Sequence, residues 1–160
     1  MIKLLGLLFT VTLLYSGETI YILPDHQTRF VHQLNQSFKK GSKQIVIAAP
    51  SFNHSELKKG LLQAANHGSN VTMILCNLQN DPLSMVQYER ITLHRYTAHP
   101  FDTSIILIDN TLVCTLSGSI DQERSTSTRS RIRCSDDIQE IESVRHSLKL
   151  LYTDSKPYLE

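Results

Sequence analysis

A chain of 160 residues fits one domain of ordinary size. Apolar residues make up 41% and charged residues 19%, a balance that excludes a disordered chain. A formal net charge of +1 excludes a global field that would draw the protein to nucleic acid or anionic membrane.

The first 16 residues read as a secretory signal. Lys3 supplies the charge, Leu4 to Leu14 form an apolar core too short for an ordinary membrane span, and small Ser16 and Gly17 precede polar Glu18. The expectation is an exported protein, periplasmic or secreted, whose mature form lacks residues 1–16. The alternatives are an uncleaved N-terminal anchor or a first core element. In an oxidising compartment Cys76, Cys114 and Cys134 allow one internal disulfide in any of three pairings, with buried reduced thiols as the alternative. There is no Cys-x-x-Cys pair, and no metal or cofactor is expected.

Thr19 to Leu23 is a short strand ended by Pro24. Asp25 is placed to cap a helix with the stripe Phe30, Val31, Leu34 and Phe38, closed by Gly41. Residues 44–49 form a continuous apolar strand of the kind buried on both faces. Asn53-His54-Ser55-Glu56 resembles a capping box, with Asn53 as cap of a helix carrying Leu57, Leu61, Leu62, Ala64 and Ala65 up to Gly68. Val71 to Cys76 is the next buried strand. Strand, helix, strand with short links predicts parallel pairing.

Residues 77–89 are polar, contain Asp81-Pro82, and read as an excursion. Strands follow at Arg90 to Tyr96, Thr103 to Ile108 and Thr111 to Leu116, the last two joined by a tight Asp109-Asn110 turn. Arg129 to Cys134 is a further strand. The last helix starts near Asp136 or Asp137 with Ile138, Ile141, Val144, Leu148 and Leu151 on one side. Residues 19–153 thus form one α/β domain with a mixed sheet and helices on both faces, and residues 154–160 a C-terminal tail.

Three segments carry a resemblance. Phe30 to Phe38 precede Lys43-Gln44-Ile45-Val46-Ile47-Ala48-Ala49; Leu57 to Gly68 precede Asn70-Val71-Thr72-Met73-Ile74-Leu75; a third run ends in Ile108-Asp109-Asn110. From Tyr21 to Tyr152 the chain resembles one half of the phospholipase D superfamily, near its small secreted nucleases. That family's motif is His-x-Lys, four residues, Asp, then Gly-Ser-x-Asn on the next strand. The resemblance implies a histidine nucleophile, a second histidine as acid, and Lys and Asn holding phosphoryl oxygens. It also implies two chains paired, each supplying one histidine.

Counting back from Asp109 puts Ser104 at the Lys position and Asp102 at the His position; counting forward puts Leu116-Ser117-Gly118-Ser119 at Gly-Ser-x-Asn. Only Asp109 and Ser117 survive in register, and Asp109 is also a favoured turn residue whatever the function. His94 and His99 are substitutes to weigh, although His99 has the wrong side-chain parity and a solvated role is the simpler reading of both. His26, His32, His54, His67 and His146 read as helix-surface or cap positions.

Arg124, Arg129, Arg131 and Arg133 lie in a hydroxyl-rich stretch, the last three alternating on one strand face, and are candidates for gripping the phosphates of nucleic acid or lipid. The alternative is a solvated edge strand protected by charge.

The leading expectation is an exported, catalytically degenerate phospholipase D-like domain acting in binding or assembly, as a homodimer or with a protein partner. The alternatives are a divergent phosphodiesterase, of nuclease or phospholipase type, and an unrelated α/β interaction domain.

Overall fold

A computed structural model describes residues 17–78, 84–85 and 87–158. The signal-like residues 1–16, and Asp81-Pro82 in the excursion, lie outside the described residues. The elements run β1 (Glu18–Leu23), α1 (Gln27–Lys39), β2 (Gln44–Ala49), β3 (Phe52–Asn53), α2 (Ser55–Asn66), β4 (Asn70–Leu75) and β5 (Ile91–Arg95). They continue with β6 (Thr103–Ile108), β7 (Leu112–Ser117), β8 (Ile120–Asp121), α3 (Gln122–Ser127), β9 (Ser130–Ser135), α4 (Ile138–Asp154) and β10 (Lys156–Pro157). This is the mixed α/β architecture the sequence predicts. β3, β8 and α3 were not expected, and β10 adds an edge strand within the segment read as a tail.

The main sheet has eight strands in the order β1-β9-β7-β6-β2-β4-β5-β10. β2 pairs with β4 in parallel, as the β2-α2-β4 unit requires, and with β6 antiparallel. The apolar strands β2, β4 and β6 are therefore interior. A layer made by α1 and α2 covers one face, where Phe30, Leu34, Leu57 and Leu61 bury Ile45, Ile47, Met73 and Ile106. On the other face Ile141 and Leu148 of α4 cover Ala48, Ile74, Leu107 and Val113. Burial on both sides is why these strands show no polar alternation.

Tertiary contacts shift several local details. Asp25 does not cap α1; His26 holds that position, and Asp25 instead faces Arg129 at 3.8 Å. The cap of α2 is His54 rather than Asn53, because Asn53 pairs with Asp121 in the small β3–β8 sheet. The β6–β7 turn takes three residues, since Ile108 pairs with Leu112, and Asp109 adopts a φ of 49°. Ile138 is 69% exposed, one turn before the apolar stripe of α4 meets the sheet. β9 is not an edge strand: it lies between β1 and β7.

That interior position places Cys114 opposite Cys134, and the two are joined in a disulfide with a Cα–Cα distance of 4.0 Å. Cys76 is free. Among the described residues no helix is long and apolar enough to cross a membrane.

A candidate oxyanion site at the carboxyl end of the sheet

Because β6 runs antiparallel to β2, the start of β6 lies beside the carboxyl ends of the parallel strands β2 and β4. This is the end where open α/β sheets bind ligands. Asp102 precedes β6 there, and Ser117, Gly118 and Ser119 leave β7 there, since Thr103 pairs with Ser117. The small β3–β8 sheet closes over this end, held by the Ile120 N–H donating to the Ser51 carbonyl at 3.1 Å.

Asp102 is exposed, and its carboxylate accepts the Thr103 hydroxyl at 3.1 Å. Its carbonyl accepts the Gly118 N–H. Ser104 is fully buried on the α1–α2 side, and its hydroxyl donates to the Gly118 carbonyl at 2.5 Å. Ser117 is exposed and Ser119 half-buried. Asp102, Ser104, Ser117 and Ser119 are thus brought together around one turn.

Asp109 is not among them. It follows β6 at the opposite end of the sheet, five residues after Ser104 and about 17 Å away at ~3.4 Å per residue. Its carboxylate accepts the N–H groups of Lys43 at 3.0 Å and Gln44 at 2.8 Å, tying the hairpin to the start of β2. Arg145 of α4 donates to its carbonyl at 3.0 Å. The local role of Asp109 is structural.

Neither substitute histidine joins the turn. His94 is on β5, three strands from β6 and so about 14 Å away. It is buried against Tyr152 of α4, with Nδ1 3.1 Å from the Ser155 hydroxyl. Burial lowers its pKa. His99 is exposed in the loop before β6.

The four arginines divide by strand parity. Ile132 and Cys134 face α1, so Arg131 and Arg133 point to the other side of the sheet. There Arg133 is paired with Glu18 at 2.7 Å and with Glu140 of α4. The Arg133 hydrogen bond holds the Glu140 carboxyl below its ordinary pKa. A guanidinium neutralised by two carboxylates is not an anion site. Arg129 is exposed beside Asp25.

Arg124 is different. It comes from α3, and its guanidinium lies against Gly118, where a Cβ would collide with it. Gly118 has a φ of +79°, which a glycine adopts without strain. Among the described residues no carboxylate lies within ion-pair distance of Arg124.

His54, read from the sequence as a surface or cap residue, is a buried cap. Its Nδ1 accepts the Leu57 N–H at 3.5 Å, and its Nε2 is buried without a partner among the described residues. Burial lowers its pKa, opposed by the charges of Glu56 and Asp121; with Nδ1 accepting, the neutral ring carries its proton on Nε2. His54, Ser117, Ser119, Asp121 and Arg124 line a recess of about 20 Å³ over the apolar floor of α1. Sequence spacing gave no hint of this, because the β3–β8 pairing alone joins residue 54 to residue 121.

This geometry can be set beside other proteins. No protein-family model and no curated protein matches the sequence. Solved structures do. NucT from Helicobacter pylori superposes with a TM-score of 0.80 at 14% identity, covering 90% of this chain and 100% of that one. Nuc from Salmonella typhimurium, described as a phospholipase D family member, gives 0.78 at 17% identity, covering 91% and 100%. The chain shares the fold of NucT and of this phospholipase D family member.

A phosphatidylserine synthase from Haemophilus influenzae also shares it, with a TM-score of 0.67 at 10% identity over 89% of this chain and 40% of that one. The reading as an α/β domain of some other fold is thereby set aside. Within this fold the chain also carries Gly118-Ser119-Ile120-Asp121, a Gly-Ser-x-Asn pattern with aspartate last. It lies two residues beyond the position reached by counting from Asp109. Counting from Asp109 missed it because the count assumed a hairpin of fixed length.

Proposed function

We propose that this is an exported phospholipase D-like domain that binds a phosphate-containing ligand or assembles with a second copy, and does not cleave phosphodiesters. One observation carries the reading. The two strand positions that would hold the nucleophile and its cation carry an exposed carboxylate, Asp102, and a buried hydroxyl, Ser104, already spent on the Gly118 carbonyl. A carboxylate repels phosphate oxygens, and a bonded serine supplies no charge. Loss of a general acid or base costs about 10²–10⁴-fold, and loss of an oxyanion-stabilising group about 10²–10³-fold more.

The Cys114–Cys134 disulfide supports export, because such bonds persist in oxidising compartments. The dimer rests on the match to the full length of NucT and Nuc. Intact mass of the native protein tests the loss of residues 1–16. Sedimentation tests the dimer.

A second reading, a divergent phosphodiesterase, is favoured by the shared fold and by the His54 ring near the turn, whose Nε2 has no partner among the described residues. Assay of the purified protein on bis(p-nitrophenyl) phosphate with EDTA present separates the two. No turnover is expected. Turnover abolished by His54→Asn or by His99→Ala would overturn the binding reading. Asp102→His with Ser104→Lys and Asp121→Asn tests whether only the site is missing.

A further inference from the structure

We propose that a leader peptidase cuts this chain between Ser16 and Gly17, and that the new Gly17 ammonium docks on the Asp136 carboxylate, pinning edge strand β1 beside the start of α4. The inference deepens the export reading above and rests on it.

Gly17 is the first observation. Its N–H donates to Asp136 Oδ1 at 2.5 Å, and its carbonyl accepts the Asp136 N–H at 3.3 Å. A Cβ at position 17 would lie 3.3 Å from Asp136 Oδ2, a tight contact that glycine avoids. Leaders are cut after a small residue, and Ser16 is one. A cut one residue later would remove Gly17 and both of these bonds from β1.

The charge of this corner is the second. Glu18, Asp136, Asp137 and Glu140 gather where β1 and β9 meet α4. Among the described residues Arg133 is the one cation within ion-pair distance of them, and it is spent on Glu18 and Glu140. The Asp137 carboxylate caps α4, accepting the Glu140 N–H at 2.9 Å. Lys40 and Asp109 line the same shallow groove as Asp136, but Lys40 forms no ion pair with it. Asp136 is thus an exposed carboxylate that lacks a cation, and the Gly17 nitrogen is the atom already against it.

The cut turns that nitrogen into the missing cation. Hydrolysis consumes one water and breaks the Ser16 C–N bond. The water oxygen joins the Ser16 carbonyl carbon, which leaves as a carboxylate. Both water protons end on the Gly17 nitrogen. One neutral N–H becomes three charged donors in the same place, and charge-assisted hydrogen bonds are roughly twice as strong as neutral ones. β1 carries Tyr21 and Leu23 into the core, so maturation secures an edge strand that is held less firmly in the uncut chain.

The test joins intact mass with NMR. Protein exported by its source organism is expected to have the mass of residues 17–160. In that chain, prepared with ¹³C-glycine, the Gly17 ammonium is expected to titrate about half a pH unit or more above the ordinary α-amino range of about 7.7–8.0, because a neighbouring carboxylate favours the charged form. Asp136→Asn keeps an oxygen acceptor and is expected to return the titration to that range. Acetylating Gly17 restores a neutral amide and is expected to speed hydrogen exchange of the β1 amides about twofold or more. A mass that retains residues 1–16 overturns the export reading and this inference with it. A chain starting at any other residue overturns the cut and leaves export standing. So does an ordinary Gly17 titration, or a raised one that Asp136→Asn leaves in place, for the ion pair. Exchange unchanged by acetylation overturns the pinning of β1.

Discussion

The Ser104 hydroxyl donates to the Gly118 carbonyl at 2.5 Å, across the mouth of the hairpin on which the site is built. Ser104 is fully buried, so its hydroxyl has no water as an alternative partner. Ser104→Ala is expected to cost about 1 kcal/mol, the net worth of one intramolecular hydrogen bond. Urea unfolding of both proteins measures it. An unchanged midpoint would mean that the bond adds nothing to the turn.

Asp109 should matter for stability and not for ligand binding. Its carboxylate holds the Lys43 and Gln44 N–H groups at the far end of the sheet. Asp109→Ala removes these acceptors and puts alanine, which tolerates the left-handed region less well than aspartate, at a φ of 49°. A loss of about 2 kcal/mol is expected. A variant of full stability would contradict the structural role.

The disulfide closes a loop between residues 20 apart in sequence. Loop-closure entropy puts its contribution at about 3 kcal/mol. The Cys114→Ala, Cys134→Ala double variant should unfold at correspondingly lower urea, and a reductant should shift the native protein toward it. A reductant that leaves the unfolding curve in place, with free thiols confirmed by mass, would remove this term.

Stability should fall in mild acid. His54 and His94 both have pKa values lowered by burial. The unfolded chain then binds those protons more readily than the folded one, so stability rises with pH in that interval. The contribution is complete above about pH 6.5, the ordinary histidine value, and is lost as pH falls toward the folded-state values. Melting temperatures are expected to drop between pH 7 and pH 5. His94→Gln should flatten that slope. A flat profile in the native protein would show that neither ring resists protonation.

Much of the architecture was legible in the chain. The runs 44–49, 71–75 and 103–108 carry no polar alternation, and only burial on both faces accounts for that pattern. The helix after residue 55 forces parallel pairing of its flanking strands, whatever lies elsewhere. The absence of histidine and lysine from positions 102 and 104 is likewise a plain fact of the sequence.

What surrounds those positions was decided by tertiary contacts alone. The β3–β8 pairing carries His54 to Asp121 across 67 positions, and no local spacing encodes it. Strand parity sends Arg131 and Arg133 to the far face while α3 lays Arg124 on Gly118, so four arginines that look alike in sequence have different roles. Periodicity reports which face a residue occupies within its own element; which distant element meets that face depends on strand order, and strand order is settled only when the whole sheet is packed.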